Sequence, residues 1–156
     1  MKGNPKVLAV LNDVLKAELT SINQYMVHAE MCENWGFKKL GKITKVNAIG
    51  EMKHAEVLIE RILYLEGTPN VSDMFKILIG KAVPEQLKND LKLEEDAVSR
   101  LNQGIATCVT AGDNGSRDLL VTLLKDEEEH IDFLEAQLHQ IQEMGLQNYL
   151  ATQAGE

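Results

Sequence analysis

The sequence predicts an all-α protein, a bundle of four long helices with one long crossover and a short fifth helix at the C-terminus. Three observations carry that prediction. Helix formers dominate the 156 residues, and only three prolines occur, at positions 5, 69 and 84. Apolar residues recur every three to four positions along four long stretches, the spacing that puts them on one helical face. The chain also repeats itself: Glu18 and Glu94, Glu51 and Glu127, and His54 and His130 are each 76 positions apart. The length suits one domain, residues 1–156, with a substantial core, and is too short to expect two.

The first helix starts near Pro5, where a missing N–H costs nothing because it would be unpaired. Val7, Leu8, Leu11, Leu15, Ile22, Tyr25 and Ala29 form its apolar stripe, and Glu18 falls on it. Asn34-Trp35-Gly36-Phe37 makes a short connection. The second helix runs from about Lys38 to Leu65, with Leu40, Ile43, Leu58, Ile62 and Leu65 inward and Glu51 and His54 on the same stripe. Gly67, Pro69 and Asn70 end it. Glu66 to Val83 shows no sustained stripe and reads as the crossover.

Pro84 opens the third helix, whose inward residues are Leu87, Leu91, Val98, Leu101, Ile105 and Cys108, interrupted by Glu94. Ala111 to Gly115 is a turn rich in Gly, Asp and Asn. The fourth helix runs from about Ser116 to Met144, with Leu120, Leu123, Leu134, Leu138 and Ile141 inward and Glu127 and His130 on its stripe. Gly145 stops it, and Leu146 to Gln153 forms the fifth. Each long helix spans on the order of 40 Å at 1.5 Å rise per residue.

The formal charge of −8 leaves no basic stripe to neutralise phosphates, which argues against nucleic acid. It suits attraction of metal cations as well as it suits a merely acidic surface. Cys32 and Cys108 stand far apart with no Cys-x-x-Cys, which gives neither a disulfide framework nor a cysteine-rich electron-transfer module. Both fall on apolar stripes and are expected as buried thiols. The N-terminal residues lack a signal peptide's apolar stretch, and no run approaches membrane-spanning length, so a cytoplasmic protein with no membrane partner is expected.

The function lies in where the charges sit. Glu30, Glu33, Glu56, Glu60, Glu95, Glu128 and Glu129 suit a solvated face. Glu18, Glu51, Glu94 and Glu127 instead occupy slots where the repeat demands Leu, Ile or Val. Acidic residues are almost never fully buried without a partner, and an unpaired buried charge costs several kcal/mol even after relaxation. No set of Lys or Arg on the stripes can compensate, so the compensation must come from bound cations. Residues i and i+3 share a helical face, so each Glu-x-x-His aims a carboxylate and an imidazole at one point.

Four carboxylates and two imidazoles suit Fe(II), Mn(II) or Zn(II). They form the established ligand set of di-iron carboxylate bundles. Shared carboxylates bridge two ions about 3.5–4 Å apart.

His28 has no Glu three residues before it and is expected to pack or cap, while His139 is expected to face solvent. Tyr25 lies two turns beyond Glu18 on the same face. It reads either as a core aromatic needing a hydroxyl partner or as a local one-electron donor during O₂ reduction.

With these residues placed, the chain resembles bacterioferritin over essentially its whole length. The matching stretches are Met1-Lys2-Gly3, Glu18-Leu19-Thr20, Ile22-Asn23-Gln24-Tyr25, Asn34-Trp35-Gly36-Phe37, Glu51-Met52-Lys53-His54-Ala55, Arg61-Ile62-Leu63, Leu65-Glu66-Gly67, Asp126 through Asp132 and Asn148-Tyr149-Leu150. The resemblance implies the ferritin-like topology and a 24-subunit shell built from two-fold dimers. Such a shell oxidises Fe(II) with O₂ or peroxide and stores the ferric mineral inside. It implies that Glu18, Glu51, His54, Glu94, Glu127 and His130 ligate an intrasubunit di-iron centre, with Glu51 and Glu127 bridging and Glu18 and Glu94 terminal.

It further implies that Met52, turned about 100° from Glu51 along the helix, is an axial ligand of haem b shared between two subunits. Without the resemblance, Met52 near Ile49 reads as an ordinary subunit contact. A reductase or ferredoxin would release the iron, and the shell contains one chain type or mixes two. The pattern breaks at Val46 and Gly50, where many bacterioferritins have a His and an Asp that form a further iron site on the inner wall. It also breaks at Phe133, often Trp.

Three rival readings remain at the level of sequence. They are a rubrerythrin-like peroxidase or oxygenase, a non-catalytic scaffold bundle, and a haem-carrying shell subunit working beside another subunit type.

Overall fold

The computed structural model describes residues 1–155 and contains five helices: α1 (Pro5–Asn34), α2 (Lys38–Tyr64), α3 (Val83–Ala111), α4 (Asn114–Met144) and α5 (Leu146–Gln153). α1 packs along α2 and α3 along α4, and α1 against α3 joins the two hairpins into one bundle. The boundaries follow from local chemistry. Asn4 caps α1 by accepting the Lys6 N–H at 2.8 Å, with Pro5 in the first turn.

Gly36 takes φ +89° between α1 and α2, and Gly112 takes φ +71° after α3, the left-handed conformation that glycine adopts without a Cβ penalty. α4 begins at Asn114, two residues before the position expected from composition. Asp113 caps it by accepting the Ser116 N–H at 2.9 Å, so Asn114 and Gly115 are drawn into its first turn.

The apolar stripes close into two clusters. Val7, Leu11, Leu15, Leu58, Ile62, Leu101, Leu120 and Leu123 belong to one. Cys32, Leu40, Val83, Leu87, Leu134 and Tyr149 belong to the other, with Tyr149 bringing α5 into the core through a 2.7 Å hydrogen bond to Gln137. On every long helix the polar residues of the repeat lie between these two clusters in sequence, so the bundle is greasy at both ends and acidic midway.

The crossover, residues 65–82, runs without secondary structure and is pinned to one face of α1. Asn12 accepts the Asn70 N–H at 2.8 Å, Thr20 the Phe75 N–H at 2.9 Å, Gln24 the Leu78 N–H at 3.1 Å and His28 the Gly80 N–H at 3.0 Å. These α1 acceptors satisfy backbone donors that an irregular segment cannot pair internally. Gly80 is required there, since a Cβ would stand 2.4 Å from the Gln86 backbone nitrogen. Among the described residues, no helix is long and apolar enough to cross a membrane.

Candidate metal centre

All six residues singled out by the repeat meet inside the bundle. Glu18 comes from α1, Glu51 and His54 from α2, Glu94 from α3, and Glu127 and His130 from α4. Glu94 and Glu127 are 0% exposed, Glu51 1% and Glu18 2%. The stripe explains why: each carboxylate sits where helical periodicity turns a side chain inward.

One ligand atom each from Glu18, Glu51, His54 and Glu127 fit within 4.8 Å of one another, and so do one each from Glu51, Glu94, Glu127 and His130. Glu51 and Glu127 belong to both groups. Glu127 divides its two oxygens between the imidazoles, with Oε1 3.2 Å from His54 Nδ1 and Oε2 3.2 Å from His130 Nδ1. Glu51 Oε1 lies 3.2 Å from His130 Nδ1 and 3.9 Å from His54 Nδ1. Glu18 Oε2 stands 3.6 Å from His54 Nδ1, and Glu94 Oε1 3.5 Å from His130 Nδ1.

The electrostatics are those of a site built for cations. Burial, and then the neighbouring Glu51 and Glu127, raise the Glu18 carboxyl well above its ordinary range. Burial and Glu127 push Glu94 up to about 8. Burial opposes charge on the imidazoles, but hydrogen bonds and attraction from the carboxylates outweigh it. Led by Glu127, they hold His54 at about 9 and His130 at about 12. Without bound metal, the cluster therefore retains protons on its imidazoles above the ordinary histidine range, and a metal ion entering it would have to displace them.

Among the described residues, no hydrogen bond of good geometry reaches three fully buried oxygens, Glu18 Oε2, Glu51 Oε1 and Glu94 Oε2, although Glu51 Oε1 stands 3.2 Å from His130 Nδ1. Buried polar atoms are rarely left so, and three in one cluster of hard oxygen and imidazole donors fit a pair of divalent metal ions.

Tyr25 is buried and donates its hydroxyl to Glu94 Oε1, so the partner expected for a core tyrosine is a residue of the cluster itself. Its ring meets that of His130 edge-on, with centroids 6.4 Å apart. His28 packs, as expected, with Nδ1 2.9 Å from buried Asp90. His139 is exposed, as are the seven acidic residues assigned to the solvated face.

Met52 lies on the outer face of α2, 46% exposed, one turn from Ile49 at 43%. Its thioether is therefore open to a partner outside the chain. Val46 is 61% exposed, and nothing lies within 4 Å of a Cβ built on Gly50, so neither supplies a ligand at the inner-wall position.

Sequence reasoning did not find Asp126. Its Oδ2 lies 2.8 Å from His54 Nε2, on the side of the ring away from the carboxylates. It belongs to a different helix, 72 positions away, and has no counterpart in the repeat, since the residue 76 positions earlier is Gly50. Asp90 was missed for a similar reason. It accepts from Gln24 at 2.8 Å and contacts His28, an arrangement that exists only once α1 meets α3.

Comparison with known proteins agrees with this construction. Residues 8–144 match the ferritin-like domain. The chain is 44% identical over 151 residues to the bacterioferritin of Mycobacterium leprae, covering 97% of this chain and 95% of that protein. It is 43% identical over 152 residues to the bacterioferritin of Streptomyces coelicolor, covering 97% and 91%. It is 45% identical over 154 residues to a bacterial ferritin of Synechocystis, covering 98% and 99%. With its helices in ferritin-like order and similarity running nearly end to end, the chain belongs to the bacterioferritin family.

Proposed function

We propose that this protein is an iron-storage ferroxidase of the cytoplasm. In this reading it takes two Fe(II) ions per chain as substrate at the Glu18, Glu51, His54, Glu94, Glu127 and His130 cluster and passes Fe(III) into the hollow of a 24-subunit shell. The observation that carries the reading is the pair of four-residue groups that share Glu51 and Glu127, with unpartnered carboxylate oxygens in a dry interior.

Two ferrous ions held side by side supply the two electrons that convert O₂ and two protons to hydrogen peroxide, or peroxide and two protons to water. The residues contribute position and charge. Glu51 and Glu127 each face both ions, Glu18 and His54 complete one half, and Glu94 and His130 the other. Four carboxylates offset the charge of two divalent ions almost completely and make loss of an electron from each easier in a low-dielectric interior. The same reading assigns haem b to Met52, one thioether from each of two subunits across a two-fold axis, since such an axis brings a residue near its own copy.

Buried cysteines favour storage over a peroxidase fed through cysteine ligands. Cys32 is 1% exposed and pushed up to about 11 by burial, and Cys108 is fully buried. The test is ferrous iron added to the metal-stripped protein under air. Rapid oxygen or peroxide consumption in wild type, lost in Glu18→Ala and His130→Ala while the assembled particle persists, is expected. A 17.4 kDa chain in a closed 24-subunit shell elutes near ~400 kDa. Particles of dimer size, or wild-type protein that leaves Fe(II) unoxidised, would overturn the reading.

A further inference from the structure

The repeat that builds the centre is broken at one place, and the break makes its two halves unequal. His54 presents Nδ1 to the cluster, with Glu127 Oε1 at 3.2 Å, Glu18 Oε2 at 3.6 Å and Glu51 Oε1 at 3.9 Å. Its other nitrogen, Nε2, is held at 2.8 Å by Asp126 Oδ2. His130 also presents Nδ1 to the cluster. Among the described residues, however, no carboxylate lies within 4.0 Å of its Nε2. The position equivalent to Asp126 in the repeat is Gly50, where a side chain would meet only open space.

The terminal carboxylates differ in the same sense. Each keeps one unpartnered oxygen among the described residues, Glu94 Oε2 and Glu18 Oε2, but only Glu94 also receives a tyrosine hydroxyl, from Tyr25 at its Oε1, which draws on its charge.

A carboxylate behind a metal-binding imidazole fixes the ring's orientation and its tautomer, so less rotational freedom is lost when the ion binds. With Nε2–H committed to Asp126, the Nδ1 edge of His54 already faces the cluster, so an arriving ion need only displace the proton there. His130 has no such support.

We propose that Asp126 is a positioning residue that makes the Glu18/His54 half of the centre take its ion first and more tightly than the Glu94/His130 half. This rests on the two-metal reading of the site. Asp126 itself is half exposed, 49% at its side chain, so it touches both solvent and the buried ring.

The test is titration of the metal-stripped, assembled protein with Co(II) alone, followed by visible absorption and by heat. Two steps per chain are expected in wild type, the first tighter. Asp126→Ala is expected to weaken the first step by roughly 10–100-fold, the usual effect of removing such a support, and so to merge it with the second. Asp126→Asn keeps an acceptor oxygen and is expected to lose less. It also keeps the test open if the alanine variant assembles poorly.

Tyr25→Phe should tighten the second step and leave the first in place, a selectivity that a general loosening of the site does not produce. Two steps left in place by Asp126→Ala, or a loss confined to the second, overturns the proposal while the two-metal site stands. Wild-type protein that takes up no Co(II) overturns both.

Discussion

The hydroxyl of Tyr25 on α1 donates to Glu94 Oε1 on α3, tying a buried tyrosine to a carboxylate of the candidate centre. The bond has a structural and a chemical consequence, and a single substitution separates them.

Tyr25→Phe keeps the ring and removes the donor, leaving Glu94 with a second unpartnered oxygen. Stranding a buried acceptor costs about 1–3 kcal/mol, so metal-stripped protein is expected to unfold more easily by an amount in that range. A bound metal ion offers Glu94 a replacement partner, and the loss should shrink when the protein is loaded with Zn(II). If Tyr25 also supplies an electron, a tyrosyl signal should appear by freeze-quench electron paramagnetic resonance when iron is too scarce to fill both halves. That signal should vanish in Tyr25→Phe. An unfolding penalty of equal size with and without metal would show that the hydroxyl serves packing alone.

The shared carboxylates should behave unlike the terminal ones. Glu127 faces both imidazoles at 3.2 Å, and Glu51 reaches both groups. Glu127→Ala therefore removes a ligand from each half and is expected to abolish tight uptake of both Zn(II) ions per chain. Glu94→Ala is expected to leave one. Calorimetric stoichiometry checks this directly, and equal loss in the two variants would mean that Glu127 is not shared.

The repeat made the six cluster residues legible because helical periodicity converts a position in sequence into a direction in space. A Glu on an apolar stripe must point inward, and four stripes closing on one another must bring four such residues together. Helix ends were legible to within two residues wherever proline or glycine marked them. At α4 the cap made by Asp113 overrode the turn-like composition of Asn114 and Gly115.

Contacts between helices that no repeat encodes stayed hidden. Asp126 meets His54, and Asp90 meets His28 and Gln24, across pairs of helices whose relative rotation is set by packing. The crossover was legible as irregular, but its seat along Asn12, Thr20, Gln24 and His28 was not. Polar residues at that spacing look like an ordinary solvated face.

Met52 offers a separation of cofactors. Its thioether is exposed on α2 while Glu51, the residue before it, is buried in the cluster. Met52→Leu conserves volume and apolarity at the surface but removes the sulfur. The haem Soret band of purified protein is expected to disappear, with the initial rate of Fe(II) oxidation unchanged within about twofold, as volume-conserving apolar swaps disturb packing little. Full haem content in Met52→Leu would remove the axial assignment and return Met52 to an ordinary subunit contact.

The last expectation concerns the end of the bundle, where α2 meets the α3–α4 turn. Asp113 accepts the Ser116 N–H at 2.9 Å, the Ser116 hydroxyl at 2.7 Å and Arg61 Nη2 at 2.8 Å. A Cβ on Gly115 would come within 2.6 Å of Arg61 Nη2, so the guanidinium lies directly against the first turn of α4 and would have to shift to admit one. Burial opposes ionisation of Asp113, but the two Ser116 hydrogen bonds and the Arg61 charge outweigh it and hold the carboxyl below its ordinary range.

A carboxyl depressed by folding contributes stability that is fully present above its unfolded value, about 3.9, and is lost as pH falls through the lower folded value. Asp113→Ala removes both the cap and the ion pair and is expected to cost about 1–2 kcal/mol at neutral pH. The gap between wild type and variant should stay constant from neutral pH to about 5 and close as the pH falls toward 3 and below. Unfolding by denaturant of the metal-stripped protein across that range checks it. A gap that survives undiminished in acid would mean that the Asp113 carboxylate charge contributes nothing, and that the loss comes from packing of the turn.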